Sequence, residues 1–72
     1  NDVTNLIFSL KKDVVFEIII YDCVGQKMAT YKLNGKIGPN QINLDLSAYN
    51  SGLYLITIVT DSFTATKKII KE

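Results

Sequence analysis

Apolar and polar residues alternate along most of this chain with a period of two, in short runs bounded by turn residues. The first run is Val3 to Leu10, with Leu6, Phe8 and Leu10 on one face. Lys11, Lys12 and Asp13 form a charged turn. The second run, Val14 to Asp22, turns Phe16, Ile18 and Ile20 inward and Glu17, Ile19 and Tyr21 outward. Ile19 and Tyr21 then need partial cover from a neighbouring strand, a loop or another domain. Asp22-Cys23-Val24-Gly25 has the residues of a type I turn followed by a left-handed glycine, a common hairpin connection.

The third run, Lys27 to Leu33, alternates poorly and predicts an edge strand or one exposed on a face. Asn34-Gly35 and Gly38-Pro39-Asn40 read as turns, with a loop or a very short strand around Ile37 between them. Gln41 to Leu46 alternates cleanly, with Ile42, Leu44 and Leu46 inward. Ser47 to Gly52 makes a corner. The fifth run is Leu53 to Thr60, with Tyr54, Ile56 and Ile58 on one face, and the last is Phe63 to Lys71. Turn signals at this spacing predict an all-β fold, a small antiparallel sandwich of six to seven strands, in a single domain over residues 1–72.

Composition supports the fold and narrows the chemistry. Ten Ile, five Val, six Thr and four Tyr in 72 residues favour a pleated sheet over a helix. A chain this short buries only about 60% of its unfolded surface, so nearly all the aliphatic residues are needed inside. The net charge is +1, and all eight basic residues are lysines. That balance argues against a nucleic-acid binder. With no histidine, Ser-His-Asp or Cys-His catalysis and an ordinary zinc site are excluded. Cys23 is single and reads as an incidental thiol. The carboxylates are scattered rather than grouped as a calcium loop, and the four glycines do not form a phosphate cradle. No cofactor, metal, catalytic residue or membrane insertion is expected. No apolar run approaches the roughly 18 residues needed to span a membrane, and no secretory signal opens the sequence.

Two features stand out. In Leu46-Ser47-Ala48-Tyr49-Asn50-Ser51-Gly52-Leu53-Tyr54, a tyrosine just inside a strand can hydrogen-bond back across the preceding corner, as in immunoglobulin-like sandwiches. Gly52 supplies the backbone freedom such a corner needs. Lys67 and Lys68 are adjacent on a predicted strand and point to opposite faces. One of them must face the core side or its rim, unless the strand is at an edge, where lysines also guard against aggregation.

These residues, with Ile18-Ile19-Ile20-Tyr21-Asp22 and Gly25 upstream and Thr66-Lys67-Lys68-Ile69-Ile70-Lys71 at the end, resemble the C-terminal sorting domain of type IX secretion, in its type A form. The resemblance covers nearly the whole chain. Its most specific parts are the turn from Tyr21-Asp22 to Gly25, the corner from Ser51-Gly52 to Tyr54, and Lys67, Lys68 and Lys71. It implies a small immunoglobulin-like sandwich at the end of a larger precursor. The precursor's N-terminal cargo would cross the periplasm and reach the cell surface through the outer-membrane translocon. A sortase-like protease would normally then remove the domain. On this resemblance Gly52, Tyr54, Lys67, Lys68 and Lys71 are expected at the recognition surface, and Asp22, Gly25 and Ser51 in the structural motif. The Pro-Asn-Pro-like opening usual in the family is missing, so Asn1-Asp2-Val3 is expected to lie just inside the domain boundary.

Three other readings compete. One is an immunoglobulin-like accessory module binding glycan or protein, for which Tyr21, Tyr31 and Tyr49 are the available aromatic rings. Another is an assembly unit, a homodimer paired through open sheet edges. Catalysis is the weakest.

Overall fold

A computed structural model describes residues 3–72. Six strands make up the fold: β1 (Val3–Leu10), β2 (Val14–Asp22), β3 (Lys27–Gly35), β4 (Gly38–Asp45), β5 (Gly52–Val59) and β6 (Thr64–Lys71). All pairings are antiparallel. β1 and β4 form a two-stranded sheet, and the other four a sheet in the order β3-β2-β5-β6. The fold is all-β, a small immunoglobulin-like sandwich. Of the stretch Asn1-Asp2-Val3, expected just inside the domain boundary, Asn1 and Asp2 lie outside the described residues.

The core sits between the sheets. Leu6 and Leu10 of β1, and Leu44 and Leu46 in and just after β4, meet Phe16, Ile18 and Ile20 of β2 and Tyr54, Ile56 and Ile58 of β5. These are the inward positions of the predicted alternation. Full burial of each aliphatic side chain contributes roughly 1.5–3 kcal/mol before conformational entropy is subtracted. Phe8 completes the β1 contribution with an edge-on contact to Phe16, ring centroids 5.1 Å apart. The outward Ile19 and Tyr21 are half-buried. Their cover comes from within the sheet, where Ile19 lies between Thr30 and Thr57 and Tyr21 beside Leu55.

The β2–β3 hairpin is built as its residues predict. The Asp22 carboxylate accepts the backbone N–H groups of Val24 and Gln26, at 3.0 and 2.8 Å. Gly25 takes φ +87° and donates to the Asp22 carbonyl.

The segment from 34 to 40 departs from expectation. Asn34-Gly35 is not a turn: it continues β3, paired with Val15 and Val14. Gly38-Pro39-Asn40 likewise opens β4, paired with Leu10, Ser9 and Phe8. No separate strand forms at Ile37, and only Lys36 and Ile37 cross between the sheets. The reason at Gly35 is space rather than φ, because a Cβ there would collide with the Leu10 side chain and crowd the Phe16 ring. Pro39 is tolerated because, among the described residues, β4 has a partner on one flank only. The two-residue crossing is fixed by side chains: Asn40 accepts the Lys36 N–H at 3.1 Å, and Asp13 accepts the Ile37 N–H at 2.7 Å.

Candidate recognition surface

The motif residues converge on one end of the larger sheet. Asp22 pairs with Tyr54 across β2 and β5, and Gly52 pairs with Lys71 across β5 and β6. The Asp22–Gly25 turn, the corner before β5 and the end of β6 therefore share that end. Lys67 and Lys68 lie further along β6, opposite Ile56 and Leu55.

The corner is a closed unit. Tyr54 is buried, and its hydroxyl donates to the Asn50 carbonyl at 2.7 Å. The Tyr49 ring stacks on Tyr54, with centroids 5.4 Å apart and an interplanar angle of 30°. Burial raises the Tyr49 phenol above its ordinary range, with smaller contributions from Tyr31 and Tyr54. Tyr49 N–H donates to the Leu46 carbonyl at 3.0 Å, and Ser47 N–H donates to the Asp45 carboxylate at 2.9 Å. Gly52 adopts φ +150° with open space where a Cβ would stand, so the requirement there is backbone conformation rather than room. Ser51 is exposed beside it.

The three lysines of β6 occupy different environments. Pairing with Ile56 and Gly52 puts Lys67 and Lys71 on the inner face, and pairing with Leu55 puts Lys68 on the outer face. Lys71 is half-buried. Its ammonium donates to the Tyr49 carbonyl and, at 3.3 Å, to the Ser47 carbonyl. It thus ties the last strand to the corner across 22 and 24 residues of sequence. The hydrogen bonds from Ser47, and then the Lys71 charge, hold Asp45 below its ordinary pKa. Lys67 and Lys68 are exposed, and among the described residues neither has a carboxylate within ion-pair distance.

The sequence pattern groups Lys71 with the other two as a surface charge. The structure makes it a clamp on the corner, with Tyr49, Ser47 and Asn50 as its neighbours there. The Tyr54 bond spans four residues and follows a known local pattern. A lysine reaching carbonyls of a distant loop has no such signature.

The family model described as the secretion system C-terminal sorting domain matches residues 1–72. The chain belongs to that family. It is a sorting signal of type IX secretion, a part of a cargo precursor that the type IX machinery handles for export toward the cell surface or beyond it. The family is one of sorting signals rather than of known catalysts. No curated protein and no solved structure matches the chain. The sorting domain carries these motif residues on a hairpin turn, a corner and an outer strand.

Proposed function

We propose that the type IX translocon reads this sorting domain through the β6 edge and the corner that β6 pins. In this reading the cargo precursor crosses the periplasm, its sorting domain docks on the translocon, and a sortase-like protease removes the domain at the surface. Lys67 and Lys68 supply the charge contacts, toward acidic groups of the receptor. Lys71 and Tyr54 act one step back by fixing the corner that carries Ser51 and Gly52. The observation that carries this reading is the contrast among the lysines. Lys67 and Lys68 are exposed on an outer strand without a carboxylate partner among the described residues, whereas Lys71 is held by backbone carbonyls. Lysines exposed at an edge cost little to keep in water and contribute little to folding.

The rival reading, an accessory module with an aromatic platform, finds less support. Tyr49 is stacked against Tyr54, Tyr21 is half-buried, and among the described residues Tyr31 alone is an exposed tyrosine.

The test is export of a periplasmic reporter fused to the domain in a type IX-competent bacterium. The double variant Lys67→Ala, Lys68→Ala is expected to lower surface delivery at least tenfold while leaving the urea midpoint of the purified domain unchanged. Lys71→Ala is expected to lower both. Normal export of the double variant would overturn the assignment of the charge contacts.

A further inference from the structure

Asn34-Gly35 has the residues of a turn but stands at the end of β3, and the function proposed above makes no use of it. It is the one place in the sequence where an asparagine is followed by glycine. Such a pair is chemically unstable in a free chain. Glycine has no Cβ to restrict the backbone or to shield its amide nitrogen, so that nitrogen can swing onto the preceding side-chain amide. Asn1, Asn5, Asn40, Asn43 and Asn50 are followed by larger residues that hinder the approach.

The fold removes that freedom. Asn34 and Gly35 are extended and paired with Val15 and Val14. An extended backbone does not take up the folded-back angle that ring closure onto the side chain needs. Gly35 is buried against Leu10 and Phe16, and the two residues beyond it are pinned by bonds from Lys36 N–H to the Asn40 side chain and from Ile37 N–H to Asp13. Asn34 itself is exposed to water, so the restraint on it is conformational.

We infer that Asn34-Gly35 is a self-modification site gated by folding, which retires chains that stay unfolded. In the unfolded chain the Gly35 amide nitrogen gives up its proton to solvent and attacks Cγ of Asn34. The new C–N bond closes a succinimide ring, and the side-chain nitrogen takes up a proton and leaves as ammonia. Water then opens the ring at either carbonyl. One opening leaves aspartate at position 34, and the other routes the main chain through the side chain as isoaspartate. A water is consumed and an ammonia released, with no change of oxidation state.

The two products differ in consequence. Aspartate keeps the shape of asparagine on an exposed face of the strand, shared with Lys32, and the fold accommodates it. Isoaspartate adds a methylene to the main chain immediately before Gly35. That displaces Gly35 from its place against Leu10 and Phe16, where even a Cβ has no room, and pulls the pairing with Val14 and the crossing at Lys36 and Ile37 out of register.

The test uses no secretion machinery, so it fails separately from the translocon reading. The purified chain is incubated at mildly alkaline pH in buffer and in concentrated guanidinium chloride. Deamidation at each asparagine is followed by peptide mass spectrometry, and isoaspartate by enzymatic methyl labelling. Asn34 is expected to react ahead of the other asparagines in denaturant, and at least about tenfold more slowly in buffer, because only opened molecules react. Ile56→Ala, on another strand, is expected to raise the rate in buffer toward that in denaturant. The isolated isoaspartate form is expected not to regain the native fold on dilution from denaturant, whereas Asn34→Asp folds with a midpoint close to that of the parent. Equal rates at Asn34 in the two solvents, another asparagine reacting first in denaturant, a rate in buffer unmoved by Ile56→Ala, or native refolding of the isoaspartate form would each overturn the inference.

Discussion

β5 and β6 are adjacent strands of one sheet, each eight residues long, and their side chains meet very different surroundings. The inward side chains of β5 are all buried: Tyr54, Ile56 and Ile58. On β6 the inward Ala65 and Lys67 are exposed, and Ile69 and Lys71 reach only half-burial. The cause is position. β5 has a strand on each flank and the smaller sheet above it, whereas β6 has one ladder and little above. The lesson is a division of labour within a single hairpin. β5 holds the fold together. β6 is attached by its backbone along its length, by the Thr66 hydroxyl bonded to that of Thr57 at 3.1 Å, and by the side chains of Ile69 and Lys71 at its end, which leaves Lys67 and Lys68 available to another molecule.

The contrast is broken most severely from the β5 side. Ile56 has 0% relative exposure, and Ile56→Ala removes methylene groups from the packed centre. It is expected to cost about 2–5 kcal/mol in urea unfolding, a large share of the stability of so small a domain. Ala65→Gly at the neighbouring inward site of β6 should cost about 1 kcal/mol or less in the same measurement, through backbone entropy alone.

A finer test addresses the corner. Tyr54→Phe keeps the ring and its stacking with Tyr49 but deletes the hydroxyl bond to Asn50. The expected loss is about 0.5–1.5 kcal/mol for the bond, plus part of the desolvation of the abandoned carbonyl. Hydrogen exchange should quicken over residues 46–52 more than over β2.

The smallest effect is electrostatic. Asp45 has a lowered pKa in the folded state, so its contribution is present above the ordinary carboxylate value of about 3.9 and disappears as the pH falls through the lower folded value. Asp45→Asn should flatten that acid limb of the stability curve while leaving its neutral-pH shape intact. An unchanged acid limb would show that the Ser47 and Lys71 interactions do not discriminate the ionised form.

How much of this was legible depends on the distance over which each feature is determined. The bounds of β1 and β2 follow from alternation, because one face of each strand is buried against a continuous apolar layer. The Asp22 turn and the Tyr54 corner were equally legible, since each closes within five residues. Gly35 and Pro39 misled for a shared reason: both are turn residues by local chemistry, and both sit in strands because of what lies beside them. Gly35 makes room for Leu10 and Phe16, and Pro39 stands on a strand with one flank unpaired. The split into two strands and four, and the Lys71 clamp, depend on pairings remote in sequence, which no local pattern encodes.

The connectivity of the smaller sheet also has a kinetic meaning. β2–β3 and β5–β6 are hairpins that can form from neighbouring residues. β1 and β4 meet in the register Val3 with Asp45 to Leu10 with Gly38, which encloses the whole β2–β3 hairpin in a loop. The entropy of closing that loop must be met before the second layer of the core exists. The pairing of β5 with β2 closes a loop of similar length, from Asp22 to Tyr54, so folding is expected to be gated by these two long closures, in the millisecond-to-second range of sandwich topologies. Until β1 and β4 meet, half of the core remains open to water.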